Sequence, residues 1–221
     1  MLSFVEETVL LLHDEDSGDF VQLPQSVFSV VIAGAALMDL AIRNRIDTDL
    51  ERLTVVDPRP TGDDILDSVL SAIVATQNKA ADASQFDISE ALYDAATDAD
   101  IYRERALKRL IRRGILKEEN GRHLWVFRSR RYPLIDNTEQ QEVRARLRHI
   151  LLSDEIPDPR DIVLICLVAA CSLLRFVLSA DEIDARTARV EQLRKMDLIG
   201  QAVTKSASET DAIIHFAATT I

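Results

Sequence analysis

Apolar residues recur along most of the chain at the spacing of helical faces, and only short stretches alternate as half-buried strands do. The clearest helix follows residues 61–64, where the Thr61 hydroxyl is expected to cap the first turn and Asp64 lies three residues later. Its apolar residues recur on one face: Ile65, Leu66, Val69, Leu70 and Ile73. This pattern predicts an all-α fold.

Two segments, 27–42 and 162–178, are apolar on all sides. The first contains Asp39, the second carries Arg175, and both are shorter than the roughly 20 apolar residues that a membrane-spanning helix needs. We therefore expect two buried core helices rather than membrane spans. The second belongs to a longer predicted helix, 159–178, which we expect to be central, with the others packed round it.

Further helices are predicted at 24–43, 99–113, 138–152, 181–195 and 208–218. Asp87 with Glu90 predicts another helix start, and Gly114 occupies the position at which a left-handed glycine ends a helix. Residues 45–56 mix β-branched and polar side chains, which favours a short extended excursion. Because no long linker divides the chain, we expect a single helical domain over residues 1–221.

One β-hairpin interrupts the helical pattern. Asn120-Gly121 is the strongest two-residue hairpin turn sequence, and residues 115–119 and 122–127 flank it with the composition of strands. The sequence therefore predicts a hairpin that protrudes from the helical domain at about 115–127.

The N-terminus carries acids where a signal peptide would carry basic residues, so secretion is not expected. Cys166 and Cys171 lie five positions apart on one predicted helix, and they point to different faces of it. They therefore cannot bridge each other without breaking that helix. These features favour a reducing, cytoplasmic compartment.

No pattern of catalytic or metal-binding residues stands out. The four histidines are scattered, with no spacing that would place two ligands on one helix face. The six glycines build no phosphate-binding loop, and neither a nucleophile elbow nor a dinucleotide fingerprint is present. The sequence thus favours a protein that is not an enzyme and needs no metal or cofactor.

Charge changes this picture, because the chain is acidic overall and strongly basic in one segment. Residues 103–131 hold 11 basic and three acidic side chains, a local charge of +8 in a chain of net charge −11. On the predicted helix the cations repeat at helical spacing opposite an apolar stripe. These cations are Arg105, Lys108, Arg109, Arg112 and Arg113.

Several roles fit the basic helix and hairpin. A solvated face paired with the protein's own acids is the simplest. A helix followed by a basic two-stranded wing also resembles a winged-helix DNA reader, although the net charge of −11 opposes approach to duplex DNA. The third role is docking on an anionic membrane surface or phospholipid headgroup, which needs only a local cluster of arginines and an apolar or aromatic edge. Nucleic acid is the less favoured partner.

Six segments, in this order and spacing, resemble the Golgi phosphoprotein 3 family, whose eukaryotic members are peripheral membrane adaptors that bind phosphatidylinositol 4-phosphate and which has bacterial relatives. The resemblance covers nearly the whole chain. The segments are 6–18 (EETVLLLHDEDSG), 33–46 (AGAALMDLAIRNRI), 60–70 (PTGDDILDSVL), 102–116 (YRERALKRLIRRGIL), 132–134 (YPL) and the apolar helix after Pro159.

The resemblance implies an all-α domain with a shallow basic pocket for a lipid phosphate. Of the four positions that form this pocket in the eukaryotic pattern, only Arg103 carries the family residue, while Pro24, Ala33 and Asp100 occupy the others. Combined with the charge pattern, this predicts an anion-binding set on the helix and hairpin: Arg103, Arg105, Lys108, Arg109, Arg112 and Arg122.

The resemblance also implies that the hairpin mediates self-association, as it does in some relatives. Trp125 and Phe127 would then be buried against a neighbouring copy. The protein is expected to be cytoplasmic and peripheral on the inner face of a membrane.

Overall fold

The computed structural model describes residues 2–14, 17–49, 52–79, 86–123, 127–170, 173–203 and 205–206, with the backbone alone for 79, 120–123 and 127–129. The fold is mostly helical, as predicted. Its helices are α1 Phe4–Leu11, α2 Gln25–Ile42, α3 Asp64–Lys79, α4 Ile88–Thr97, α5 Ala99–Arg112, α6 Thr138–Leu152, α7 Pro159–Ala170 and α8 Ala180–Arg194. Two antiparallel pairs join β1 Ile46–Thr48 to β2 Leu53–Val55 and β3 Glu119–His123 to β4 Phe127–Arg131.

Helix α2 lies at the centre of the fold. It packs against α1, α3, α4, α5 and α7, so the central helix is α2 rather than the later segment named from the sequence. With 18 residues and a mean hydropathy of 1.8, α2 is long and apolar enough to cross a membrane, but 72% of it is buried within the fold. Its all-round apolar surface is therefore covered by neighbouring helices, as a core helix requires.

Helix α1 is buried along its whole length, including two glutamates. Glu6 closes a capping box with Ser3 and lies 3.5 Å from the Arg113 guanidinium at the end of α5. Glu7 bonds Arg160 of α7 at 2.8 Å and approaches Arg146 of α6 at 3.6 Å. Buried carboxylates need such partners, and these partners tie α1 to three surrounding helices.

Helix α3 begins two residues later than the capping prediction. Asp63, not Thr61, caps the helix, because its Oδ1 accepts the backbone N–H groups of Ile65 at 2.9 Å and Leu66 at 3.3 Å. The Thr61 hydroxyl instead donates to Asp67 Oδ1 at 2.7 Å. Asp87 caps α4 as predicted.

The hairpin differs from its prediction in register. Its strands pair Glu119 with Arg131 and His123 with Phe127, so Asn120-Gly121 lies inside β3 and not between the strands. The base of the hairpin decides this: buried Leu116 bridges Leu134, and the Lys117 N–H donates to the Pro133 carbonyl at 3.0 Å. Burying these base residues fixes the register of the strands that continue outward from them.

Helix α7 ends at Ala170, although the sequence predicted one helix to residue 178. A 3-10 turn follows at Leu174–Phe176, and Ser179 then caps α8 in a capping box with Glu182. The turn buries Leu173, Val177 and Leu178 while α8 returns to pack on α7. Packing therefore ends the helix where no glycine or proline does. Cys171 and the predicted helix 208–218 lie outside the described residues.

Gly114 ends α5 in the left-handed conformation, with φ +74, as predicted. No atom lies within 4 Å of the position a Cβ would take, so substitution there has a conformational cost only. We expect Gly114→Ala to lower the free energy of unfolding by about 1 kcal/mol, and Gly114→Asn by less because asparagine tolerates this region. Urea unfolding of the two variants measures this, and an equal loss for both would contradict it.

Candidate functional site

Helix α5 has one buried face and one basic face. Tyr102, Ala106, Leu107 and Leu110 are buried against the core. The predicted cations project from the remaining surface, and the structure divides them into cations that pair internally and cations that face solvent.

Arg109 is an internal cation. Its NH1 and NH2 groups each donate to a different Asp63 oxygen at 2.8 Å, and NH2 also contacts the Asp64 carboxylate. The Arg109 and Asp63 side chains are only 15% and 13% exposed. Although burial alone would raise the pKa of Asp63, the hydrogen bonds from Arg109 hold it below its ordinary value. Arg109 therefore fastens α5 to the first turn of α3.

Arg105 is held by the same turn of α3. Its NH1 group donates to the Asp64 carbonyl at 2.6 Å and to the Ser68 hydroxyl at 2.8 Å. Its Nε group lies 3.5 Å from the Asp64 carboxylate. Arg105 is thus oriented by α3 and is only partly available to a ligand.

Arg103 lies two residues before Arg105 on α5, and it contacts α2 rather than α3. Its guanidinium is 3.3 Å from Asp100 and stacks over the Phe28 ring at 5.2 Å. Asp100 also accepts a hydrogen bond from Gln25 at 3.1 Å. Ala33 is fully buried in α2, so no cation joins Arg103 from that position. The structure therefore does not bring Arg103 together with the rest of the predicted set.

Lys108 and Arg112 are the exposed cations of the helix, one turn apart. Within the described part of the chain neither has an acidic partner. They line a shallow depression of about 450 Å³, and Arg112 also lines a neighbouring one of about 500 Å³. The first depression is bounded by Asp64, Arg105, Lys108, Arg109, Ile111, Arg112 and Glu118.

Two arginines of the hairpin lie close to acidic side chains in the folded protein. Arg130 lies 3.6 Å from both Glu104 and Glu118, and Arg131 lies 3.7 Å from Asp19. The Arg122 and Phe127 side chains and the whole of Trp125 fall outside the described residues, so their predicted roles stay predictions.

Sequence reasoning missed the acids of this site. Asp63 and Asp64 are about 45 positions from Arg109 and appeared only as favourable charges in the first turn of a helix. Their pairing with α5 arises from tertiary packing. The only available signal was an abundance of acids in a chain with one basic segment.

The site lies on a helical domain with α2 at its centre, a left-handed glycine after the basic helix and a basic hairpin beyond it. The chain matches the Golgi phosphoprotein 3 (GPP34) family over residues 4–210. That range includes every described element of the fold and all the cations of the site. The protein therefore belongs to the Golgi phosphoprotein 3 family.

Proposed function

We propose that this protein is a non-enzymatic module that docks reversibly on anionic phospholipid surfaces through Lys108 and Arg112. The observation that carries the proposal is their exposure beside a shallow depression, one turn apart and without acidic partners in the described structure. Family membership supports a role as an adaptor of this kind. On a cell membrane, the surface engaged would be the cytoplasmic, inner face.

The two cations differ from their neighbours in what membrane docking would cost. Arg109 would have to give up Asp63, and Arg105 would have to reorganise its contacts with α3. Lys108 and Arg112 lose only water. Each basic residue near an anionic surface contributes about 1 kcal/mol, and the attraction weakens within a Debye length as salt is added.

The geometry gives less support to a DNA reader. A recognition helix presents its side chains to base edges in the major groove. Here Arg105 and Arg109, at the middle of α5, are directed to the start of α3. The cations left for phosphate contacts are those that a membrane surface would also use.

Liposome flotation tests the proposal. Vesicles of phosphatidylcholine with phosphatidylserine should bind the protein at low salt, and vesicles of phosphatidylcholine alone should not. The double variant Lys108→Gln, Arg112→Gln should bind the anionic vesicles about 30-fold more weakly, the ratio that corresponds to about 2 kcal/mol. Raising the salt should weaken vesicle binding of the wild type and reduce the difference in affinity between the wild type and the double variant.

A charge-matched control is the double variant Arg52→Gln, Lys195→Gln. Both residues are exposed, and both lie near Asp87, at the cleft between α4 and α8. This control should bind like the wild type. Equal weakening of both double variants, or no binding of wild type at low salt, would refute the proposal. Duplex DNA that is bound more tightly than anionic vesicles would favour the DNA alternative.

A further inference from the structure

Asp64 is an acidic residue of the basic face, and its neighbour Asp63 already pairs with Arg109 and caps α3. The Arg109 guanidinium contacts two carboxylates, and Asp63 already offsets its charge through two hydrogen bonds of 2.8 Å. Asp63 also caps α3 through the backbone of Ile65 and Leu66. Asp64 adds a second carboxylate to a cation that is already neutralised.

The two acids differ in exposure. The Asp63 side chain is 13% exposed, whereas that of Asp64 is 62% exposed and lines both depressions. Its oxygens contact Arg109 and lie 3.5 Å from Arg105 Nε, and Lys108 and Arg112 line the same depression. An anionic oxygen group on the protein thus lies where an incoming phosphate would meet these cations.

We propose that Asp64 is an internal competitor for the anion-binding face, which a lipid phosphate displaces from Arg105 when the protein docks. This inference rests on the proposed function and adds a residue that sets its affinity. Displacement leaves Arg109 paired with Asp63, so no buried charge is exposed without a partner. Arg105 stays anchored through NH1 on the Asp64 carbonyl and turns its Nε edge to the ligand.

The charge at this position opposes docking in two ways. Asp64 repels lipid phosphates directly, and it holds a donor of Arg105 that the phosphate would otherwise use. A single charge near an anionic surface changes binding about five-fold. The second effect depends on Arg105 and is therefore separable from simple repulsion.

The test measures vesicle binding of Asp64→Asn against a control, Asp184→Asn. Asp184 is an exposed acid of α8, so both variants remove one negative charge. Asp64→Asn should bind phosphatidylserine vesicles at least about five-fold more tightly than the wild type, while Asp184→Asn should change little. Both variants should unfold at the wild-type temperature within a few degrees, because both side chains are exposed.

The Arg105→Gln background separates displacement from repulsion. There the gain from Asp64→Asn should shrink, since the donor that Asp64 holds is gone. An unchanged gain in that background, or equal gains from Asp64→Asn and Asp184→Asn, would overturn the inference while leaving membrane docking intact. If the double variant Lys108→Gln, Arg112→Gln binds anionic vesicles as tightly as the wild type, the proposed function is wrong, and this inference is wrong with it.

Discussion

Replacing Glu7 with alanine is expected to lower the free energy of unfolding by about 3–5 kcal/mol, the largest single effect we predict. Glu7 is 5% exposed and accepts from Arg160, and it lies within reach of Arg146. Burial raises the pKa of the Glu7 carboxyl in spite of both guanidinium groups. The ion pairs are therefore no large source of stability by themselves, and the loss comes chiefly from Arg160, a largely buried cation that loses its carboxylate partner.

Urea unfolding at neutral pH measures this effect. The matched control is Glu142→Ala, which removes an exposed glutamate of α6 and should change stability by less than about 0.5 kcal/mol. The remaining partners limit the loss, because Arg146 keeps Asp161 at 2.6 Å and Arg160 keeps the Leu2 carbonyl and the Phe4 ring. Equal losses in the two alanine variants would show that the cluster does not couple α1 to α6 and α7.

Arg109→Ala is expected to lower the free energy of unfolding by about 1.5–3 kcal/mol. The substitution removes charge-assisted hydrogen bonds and leaves the largely buried Asp63 carboxylate without this cation. Arg112→Ala is its matched control on the same helix. It should leave stability within about 0.5 kcal/mol of the wild type and should weaken vesicle binding instead. In thermal unfolding, Arg109→Ala should therefore be the more affected variant, and in flotation Arg112→Ala should be.

The decrease in stability at acidic pH, the acid limb, provides a second measurement on the pair of Asp63 and Arg109. The pKa of Asp63 in the folded protein lies below its ordinary value of 3.8. Its contribution is therefore full above pH 3.8 and is lost as the pH falls through the lower folded value. Arg109→Ala should reduce that loss, because the carboxylate then has less to gain from ionisation. An unchanged acid limb would show that the pair contributes little to folding.

The two depressions beside α5 are lined both by side chains that hold the helix in place and by side chains that are exposed to solvent. Asp63 and Arg109 hold α5 in place, while Asp64 and the exposed Lys108 and Arg112 face the solvent. The first pair explains why a row of arginines at helical spacing is not by itself a binding surface. The second set is what remains for a ligand.

Local features of the sequence predicted much of the fold. Apolar periodicity located the helices, and Asp87 and Gly114 marked helix ends correctly. The first apolar segment is a core helix, and the second is helical as far as Ala170. The positions of Lys108 and Arg112 on the exposed face also followed from spacing alone. These properties depend on residues within one or two helical turns of each other, so the sequence contains them directly.

Two errors in the predicted fold came from contacts between distant parts of the chain. The Asn-Gly turn gave way to a register set by Leu116 and Leu134, and α7 ended early because α8 returns along it. Contacts between distant residues also bear on the predicted anion-binding set, because Arg109, one of its members, is paired with Asp63.

By itself, the sequence determined that the chain is mostly helical, acidic as a whole and basic over one helix and hairpin, because composition and periodicity are local quantities. Only the tertiary structure decided which of those cations are available. Pairing depends on which acids packing brings within about 4 Å, the range over which a partly buried ion pair holds its partner. Arg109 has such an acid, because packing places Asp63, 46 positions away in the sequence, in contact with it. Lys108 and Arg112 have none in the described part of the chain and are exposed to solvent.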